Sequence, residues 1–164
     1  MALVPHVERV DALDVGRKMA AGGRARGIEV VADPVAAQAL DIDAAPFEDL
    51  DVVVAVGGDG TMLSAVQVAL REDVPVLGVN LGTVGFLADA EVSDLDMVLD
   101  RLASGSWTVA ERMTLQTTAG ANKAVGVNDV VVEKVDSQRL VALSVAFDGE
   151  PFLTYRAALM FGAG

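Results

Sequence analysis

The sequence predicts a three-layer α/β domain with a parallel sheet, followed by an incomplete all-β unit. Up to about residue 105, short β-branched runs alternate with helical apolar spacing. Residues 52–56 (Val-Val-Val-Ala-Val) form an unbroken apolar run, which is typical of a strand covered on both faces. Further along, residues 141–147 alternate apolar and small or polar residues, as strands do. We therefore predict an α/β domain over residues 1–105 and a partial β domain over residues 106–164.

The elements of the first domain follow one another as strands and helices. Strands are predicted at residues 2–4, 28–32, 52–56 and 74–79, and helices at residues 10–26, 34–40 and 62–70. Gly27 is expected to end the first helix. A last helix is predicted after Ser93, because apolar residues there recur at positions i, i+3, i+4 and i+7. Ser93 is predicted to be its N-cap, with Asp96 completing a capping box.

The second domain is predicted to contain about four strands. Extended segments are expected at residues 112–118, 125–133, 140–147 and 151–155, with Asp148 and Gly149 as a hairpin turn. So few strands leave unpaired sheet edges, and an open edge invites pairing with another chain. We therefore expect this unit to need a partner subunit or further residues.

Composition excludes several classes of protein. The chain has 164 residues, a net charge of −12, one histidine and no cysteine. Without cysteine there is no disulfide, thiolate zinc site or cysteine nucleophile, and a bound metal is expected to be oxygen-ligated, such as Mg²⁺. The negative charge disfavours nucleic acid and anionic membrane surfaces as partners. No apolar run is long enough for a membrane span and no signal peptide is recognisable, so we expect a cytoplasmic protein.

A glycine-rich turn between a buried strand and a helix is the most informative motif. It consists of Gly57, Gly58, Asp59, Gly60 and Thr61. Ligands of open α/β sheets bind beyond the carboxyl ends of the strands, and glycines there are expected to adopt positive φ and to let the backbone approach a phosphate. A carboxylate among such donors is suited to accept a proton from an attacking hydroxyl or to help hold Mg²⁺. The threonine is suited to cap the helix or to contact a phosphate oxygen, and a plain strand-to-helix turn is the simpler alternative.

These residues resemble the signature of the NAD kinase family. Gly-Gly-Asp-Gly-Thr is shared more loosely by lipid kinases and phosphofructokinases. Three later segments resemble NAD kinases in particular. They are residues 78–87 (Gly-Val-Asn-Leu-Gly-Thr-Val-Gly-Phe-Leu), residues 111–113 (Glu-Arg-Met) and residues 128–131 (Asn-Asp-Val-Val), in the order found in the family. Asp129 stands where the family has glutamate.

The resemblance implies phosphoryl transfer from ATP, or from polyphosphate, to the 2′-hydroxyl of the adenosine ribose of NAD, which gives NADP. It implies a Rossmann-like N-terminal domain, a β-sandwich C-terminal domain, Mg²⁺ supplied with ATP, and a homo-oligomer. By position, Asp59 would accept the proton, and Gly60 and Phe86 would line the NAD pocket. Asn128 and Asp129 would hydrogen-bond the NAD.

The resemblance ends near the C-terminus. After Tyr155-Arg156-Ala157 the sequence reads Ala158-Leu159, where the family has Asp-Gly, and the later Gly-Ser-Thr motif is absent. We therefore expect a truncated or frameshifted member. Two alternatives to an active NAD kinase stay open here: an inactive fragment with weak nucleotide binding or a subunit-pairing role, and a lipid kinase of the diacylglycerol type.

Overall fold

The computed structural model of the chain describes residues 1–81, 90–127, 129–131 and 141–157. The chain divides into two compact units, Met1–Val109 and Ala110–Gly164. The domain boundary after residue 105 stays a prediction. Among the described helices, none is long and apolar enough to cross a membrane.

The first unit contains a four-stranded parallel sheet. Its strands are β1 (Ala2–Pro5), β2 (Val53–Gly57), β3 (Val76–Asn80) and β4 (Ala90–Glu91), and they lie side by side in that order. Every residue of the central strand β2 is buried. This burial on both faces explains the unbroken β-branched run of its sequence, and it confirms the predicted α/β class.

Among the described residues, four α-helices accompany the sheet, namely α1 (Val10–Ala25), α2 (Pro34–Leu40), α3 (Asp59–Glu72) and α4 (Leu95–Ser104). They bury an apolar core against the sheet, in which the largest fully buried side chains are Leu3, Met19, Leu40, Leu99, Val53, Val54, Val56 and Val79. Gly27, with φ of +77°, follows the first helix as predicted. The third helix begins three residues earlier than the sequence predicted, so Asp59, Gly60 and Thr61 form its first turn.

Two local predictions for this unit were wrong in detail. The strand expected at residues 28–32 is reduced to isolated bridges, in which Val31 pairs with Ala2 and Ala32 pairs with Ala44. Ser93 is not an N-cap, because a short 3₁₀ turn (Val92–Asp94) precedes α4.

A capping box is present nearby, but it is shifted toward the N-terminus. It is formed by Glu91 and Asp94 around the 3₁₀ turn. Glu91 with Asp94 and Ser93 with Asp96 both have the required spacing of three, and the pattern alone did not select the right pair.

The described part of the second unit consists of two hairpins. One pairs β5 (Leu115–Ala119) with β6 (Asn122–Gly126), and the other pairs β7 (Val141–Phe147) with β8 (Glu150–Ala157). The hairpin turn predicted at Asp148 and Gly149 is present, with φ of 50° and 86°. The second strand of the first hairpin, β6, begins at Asn122 and ends at Gly126, whereas a strand was expected at residues 125–133. Residues 129–131 are not in a strand, and residues 128, 132 and 133 lie outside the described residues.

Candidate functional site

The glycine-rich turn lies at the carboxyl edge of the parallel sheet. Strand β2 ends at Gly57, whose neighbour in the register of β3 is Asn80. On the other side, Pro5 of β1 pairs with Val56, and the next residue, His6, donates its backbone N–H to the Val56 carbonyl at 3.0 Å. Three strand ends therefore meet at the turn, which is where open α/β sheets bind ligands.

The turn leads directly into helix α3 without a side-chain cap. Gly58 is the N-cap residue in an extended conformation, with φ of −100° and ψ of −170°. The first intrahelical hydrogen bond runs from the Met62 N–H to the Gly58 carbonyl, at 3.0 Å. The N–H groups of the first turn precede this bond and no side chain of the described residues caps them, so this helix end presents donors and a positive dipole to a ligand. The prediction that Thr61 caps the helix was wrong.

The three glycines of the turn have different structural roles. The sequence led us to expect a positive φ at these glycines. None of Gly57, Gly58 and Gly60 has one. Gly57 is required by close packing, because a Cβ there would lie 2.5 Å from Thr61 Oγ1 and 2.8 Å from Thr61 Cβ. At Gly58 and Gly60, by contrast, an added Cβ would meet no described atom within 4 Å.

Neither conformation nor packing within the described chain therefore requires glycine at positions 58 and 60. A glycine whose Cβ position faces open space is needed when another molecule must approach the backbone closely. None of the described residues fills the space beside these two glycines.

Asp59 is exposed at the first position of helix α3. It lines a small opening on the β3 side of the turn together with Gly57, Gly58, Met62 and Asn80. Among the described residues, no three acidic or histidine side chains cluster closely enough to form a metal site by themselves. The Asp59 carboxylate therefore lies beside backbone N–H donors and not in a cluster of acidic side chains of the described residues.

A second, larger opening lies on the β1 side of the same turn. It has a volume of about 460 Å³ and is lined by residues of two segments: Val4, Pro5, His6, Val7, Glu8 and Arg9 after β1, and Gly58, Gly60, Thr61 and Ser64 at the start of α3. Arg9 forms a salt bridge with Asp11, and hydrogen bonding to that guanidinium holds the pKa of the Asp11 carboxyl below its ordinary value. Sequence reasoning interpreted none of residues 4–9 as functional.

The other predicted site residues lie elsewhere in the chain. Phe86 and Asn128 lie outside the described residues. Asp129 belongs to the second unit and is exposed there. A tight bend precedes it, since a Cβ at Gly126 would lie 2.7 Å from the Asp129 carbonyl oxygen.

A parallel α/β sheet with an uncapped glycine-rich helix start at its carboxyl edge defines a class of domain that binds anionic ligands. Comparison with known proteins then identifies the family. Residues 7–107 match the family model of the ATP-NAD kinase N-terminal domain. The chain belongs to the NAD kinase family.

Individual relatives agree with this assignment. The chain is 41% identical over 110 residues to NAD kinase 2 of Streptomyces avermitilis, covering 64% of this chain and 36% of that protein. Its structure resembles yeast NADH kinase complexed with NADH, at 22% identity and a TM-score of 0.80, covering 98% of this chain and 55% of that one. It also resembles an NAD kinase from Archaeoglobus fulgidus in complex with ATP, at 21% identity and a TM-score of 0.67, covering 90% of this chain and 54% of that one. The chain thus spans between about a third and just over half the length of these relatives.

Proposed function

We propose that this chain carries the phosphoryl-transfer turn of an NAD kinase, which phosphorylates the 2′-hydroxyl of the adenosine ribose of NAD with ATP to give NADP. The observation that supports this most is the open space beside Gly58 and Gly60, next to an exposed carboxylate and an uncapped helix start. Nothing among the described residues requires glycine at either position, whereas a polyphosphate lying against the backbone does. Because the chain belongs to the NAD kinase family, we take this polyphosphate to be that of ATP.

In this proposal Asp59 is the proton acceptor. Its carboxylate is exposed beside the backbone donors of α3, where it can accept the proton of the ribose hydroxyl as that oxygen attacks the terminal phosphorus of ATP. The phosphoryl group passes to the ribose oxygen, and ADP leaves. Phosphoryl transfer is catalysed chiefly by positioning and by stabilising charge on the phosphate oxygens. The first-turn N–H groups of α3 supply part of that stabilisation.

The proposal includes Mg²⁺ brought in with ATP. Mg²⁺ bound to a nucleotide takes most of its ligands from phosphate oxygens and water and needs only one or two carboxylates from the protein. One exposed carboxylate at the turn, Asp59, fits that requirement. When bound, the ion would neutralise charge that develops on the phosphates.

The contacts to NAD rest on the resemblance. We propose that Gly60 and Phe86 line the NAD pocket and that Asn128 and Asp129 hydrogen-bond the dinucleotide. Asp129 is exposed, so its carboxylate is accessible to a sugar hydroxyl. A homo-oligomer and a cytoplasmic location belong to the same proposal.

The test is NADP formation by the full chain with NAD, ATP and Mg²⁺. Wild-type protein should form NADP, and Asp59→Asn should lower kcat by about 100-fold or more with little change in folding, because the proton acceptor is lost. Asp73→Asn is a matched control at the other end of α3. Asp73 is exposed and left-handed (φ 54°), a conformation that asparagine tolerates, so this variant should retain activity.

The outcomes separate the alternatives. Equal activity of wild type and Asp59→Asn would remove the proposed role of the carboxylate. A folded wild-type chain that forms no NADP would favour the inactive fragment. Phosphorylation of diacylglycerol without NADP formation would favour a lipid kinase, although the relatives reported above are NAD and NADH kinases.

A further inference from the structure

His6 occupies a position beside the turn that the proposed function does not yet use. It directly follows β1, and its backbone N–H donates a hydrogen bond to the Val56 carbonyl of the neighbouring strand. The residue lines the 460 Å³ opening together with Gly58, Gly60 and Thr61. It is the single histidine of the chain.

One ring nitrogen of His6 has an unusual environment. The Nδ1 atom is buried and has no hydrogen-bond partner among the described residues. Buried polar atoms are nearly always paired, because an unpaired one loses its bonds to water without replacement. The orientation of the ring thus leaves Nδ1 unsatisfied among the described residues.

This environment selects the tautomer of the neutral ring. A neutral imidazole carries one N–H donor and one acceptor nitrogen. An unpaired acceptor is tolerated better than an unpaired N–H, so we assign the proton to Nε2. No side-chain hydrogen bond of His6 is present among the described residues, and Nδ1 is its buried nitrogen, which leaves Nε2–H as the donor available to the opening.

The charged side chains around the opening do not by themselves attract an anion. Glu8 and Arg9 carry opposite charges, and Arg9 is already paired with Asp11. The whole chain has a net charge of −12 and repels polyanions. An anion in this opening therefore depends on local donors, which are the first-turn N–H groups of α3 and Nε2–H of His6.

We propose that His6 is a phosphate-binding residue, which donates a hydrogen bond from Nε2 to a phosphate oxygen of the phosphoryl donor bound in this opening. The inference rests on the proposed function. It adds a position for the donor phosphates, on the β1 side of the turn.

The first test uses the imidazole signals of wild-type protein. Because the chain has one histidine, its ring nitrogens can be assigned in ¹⁵N-labelled protein that carries no histidine tag. We expect the Nε2–H tautomer, and a shift of the Nε2 and Nε2–H signals on titration with inorganic tripolyphosphate or with ATP. Protonation at Nδ1 alone, or unchanged ring signals at saturating tripolyphosphate, would overturn the proposal, as would a wild-type chain that does not bind tripolyphosphate.

The second test compares three substitutions by calorimetric titration with tripolyphosphate. Glutamine places an N–H donor near the position of Nε2, whereas asparagine reaches only as far as Nδ1 and leucine has no donor. His6→Gln should bind within about threefold of wild type, and His6→Asn and His6→Leu should bind about tenfold more weakly, as expected for loss of one hydrogen bond to a charged group. Equal binding by His6→Leu and wild type would overturn the proposal, and the wild-type ring signals decide the question if a variant does not fold.

The binding experiments and the activity assay test the two proposals separately. Histidine-dependent tripolyphosphate binding without NADP formation would refute the proposed activity and leave the phosphate contact in place. NADP formation with an unchanged KM for ATP in His6→Leu would refute the phosphate contact and leave the proposed activity in place. If both proposals hold, His6→Leu raises the KM for ATP by about tenfold and leaves the KM for NAD unchanged.

Discussion

Thr61 packs directly over the α-carbon of Gly57. A Cβ at Gly57 would lie 2.5 Å from Thr61 Oγ1 and 3.2 Å from Thr61 Cγ2, and Thr61 is only 8% exposed. The last residue of β2 and the first turn of α3 thus interlock, and this contact fixes how the helix leaves the sheet. The fifth residue of the motif therefore has a packing role in addition to lining the β1-side opening.

Substitution of Gly57 should consequently destabilise the fold. Gly57→Ala forces a methyl group into the buried Thr61 side chain, and overpacking of this kind costs about 1–3 kcal/mol. Urea unfolding followed by circular dichroism measures the effect. Thr61→Ala removes two of the three clashing atoms, so the double variant should be more stable than the sum of the two single effects predicts. Strict additivity would show that the contact is not the cause.

The sequence was sufficient to predict the position of this turn. An unbroken β-branched run followed by glycines and helical spacing specifies a buried strand, a turn and a helix, and the structure has β2 and α3 in that order. Parallel pairing then places the turn at the carboxyl edge of the sheet. These features depend on local periodicity, which a sequence displays directly.

The separate roles of the glycines could not be predicted in the same way. Glycine is required at position 57 because of the Thr61 side chain four residues later, whereas a Cβ at Gly58 or Gly60 would meet no described atom within 4 Å. This difference depends on the three-dimensional path of the chain. The position of His6 beside the turn could not be predicted for the same reason. Its place beside the turn follows from the pairing of β1 with β2, which joins residues about fifty positions apart in sequence.

A second glycine contact joins helices α1 and α4. A Cβ at Gly22 would lie 2.7 Å from Leu99 Cδ1, and Leu99 is 2% exposed. Alanine is normally favoured over glycine within a helix by about 1 kcal/mol, but here we expect Gly22→Ala to be destabilising. In a Leu99→Ala background the clashing atom is absent, and the same substitution should become stabilising. The coupling between the two sites, measured by a double-mutant cycle in urea, should be about 0.5–3 kcal/mol, and a value near zero would contradict this packing.

The short helix α2 depends on its N-cap. Asp33 accepts hydrogen bonds from the backbone N–H groups of Val35 at 2.8 Å and Ala36 at 3.0 Å. Loss of such a cap typically costs about 0.5–2 kcal/mol, so Asp33→Ala should lower the free energy of unfolding by that amount. Asp43→Ala removes an exposed carboxylate nearby and should change stability by less than about 0.5 kcal/mol. Equal effects of the two substitutions would indicate that the loss of charge, rather than the loss of the cap, is responsible.

Alanine substitution at Gly58 or Gly60 should not destabilise the fold, in contrast to substitution at Gly57. An alanine methyl at Gly60 meets no described atom within 4 Å and lies in the first turn of α3, so Gly60→Ala should keep or slightly raise the free energy of unfolding. The same methyl would occupy space that the proposed donor phosphates need and would also border the proposed NAD pocket, and a misplacement of about 1 Å at a phosphoryl-transfer site can lower the rate about 100-fold. Gln67→Ala is a control at an exposed position on the same helix, and it should alter neither stability nor NADP formation appreciably. A Gly60→Ala variant that is both stable and fully active would show that the open space beside the turn is not where the donor binds.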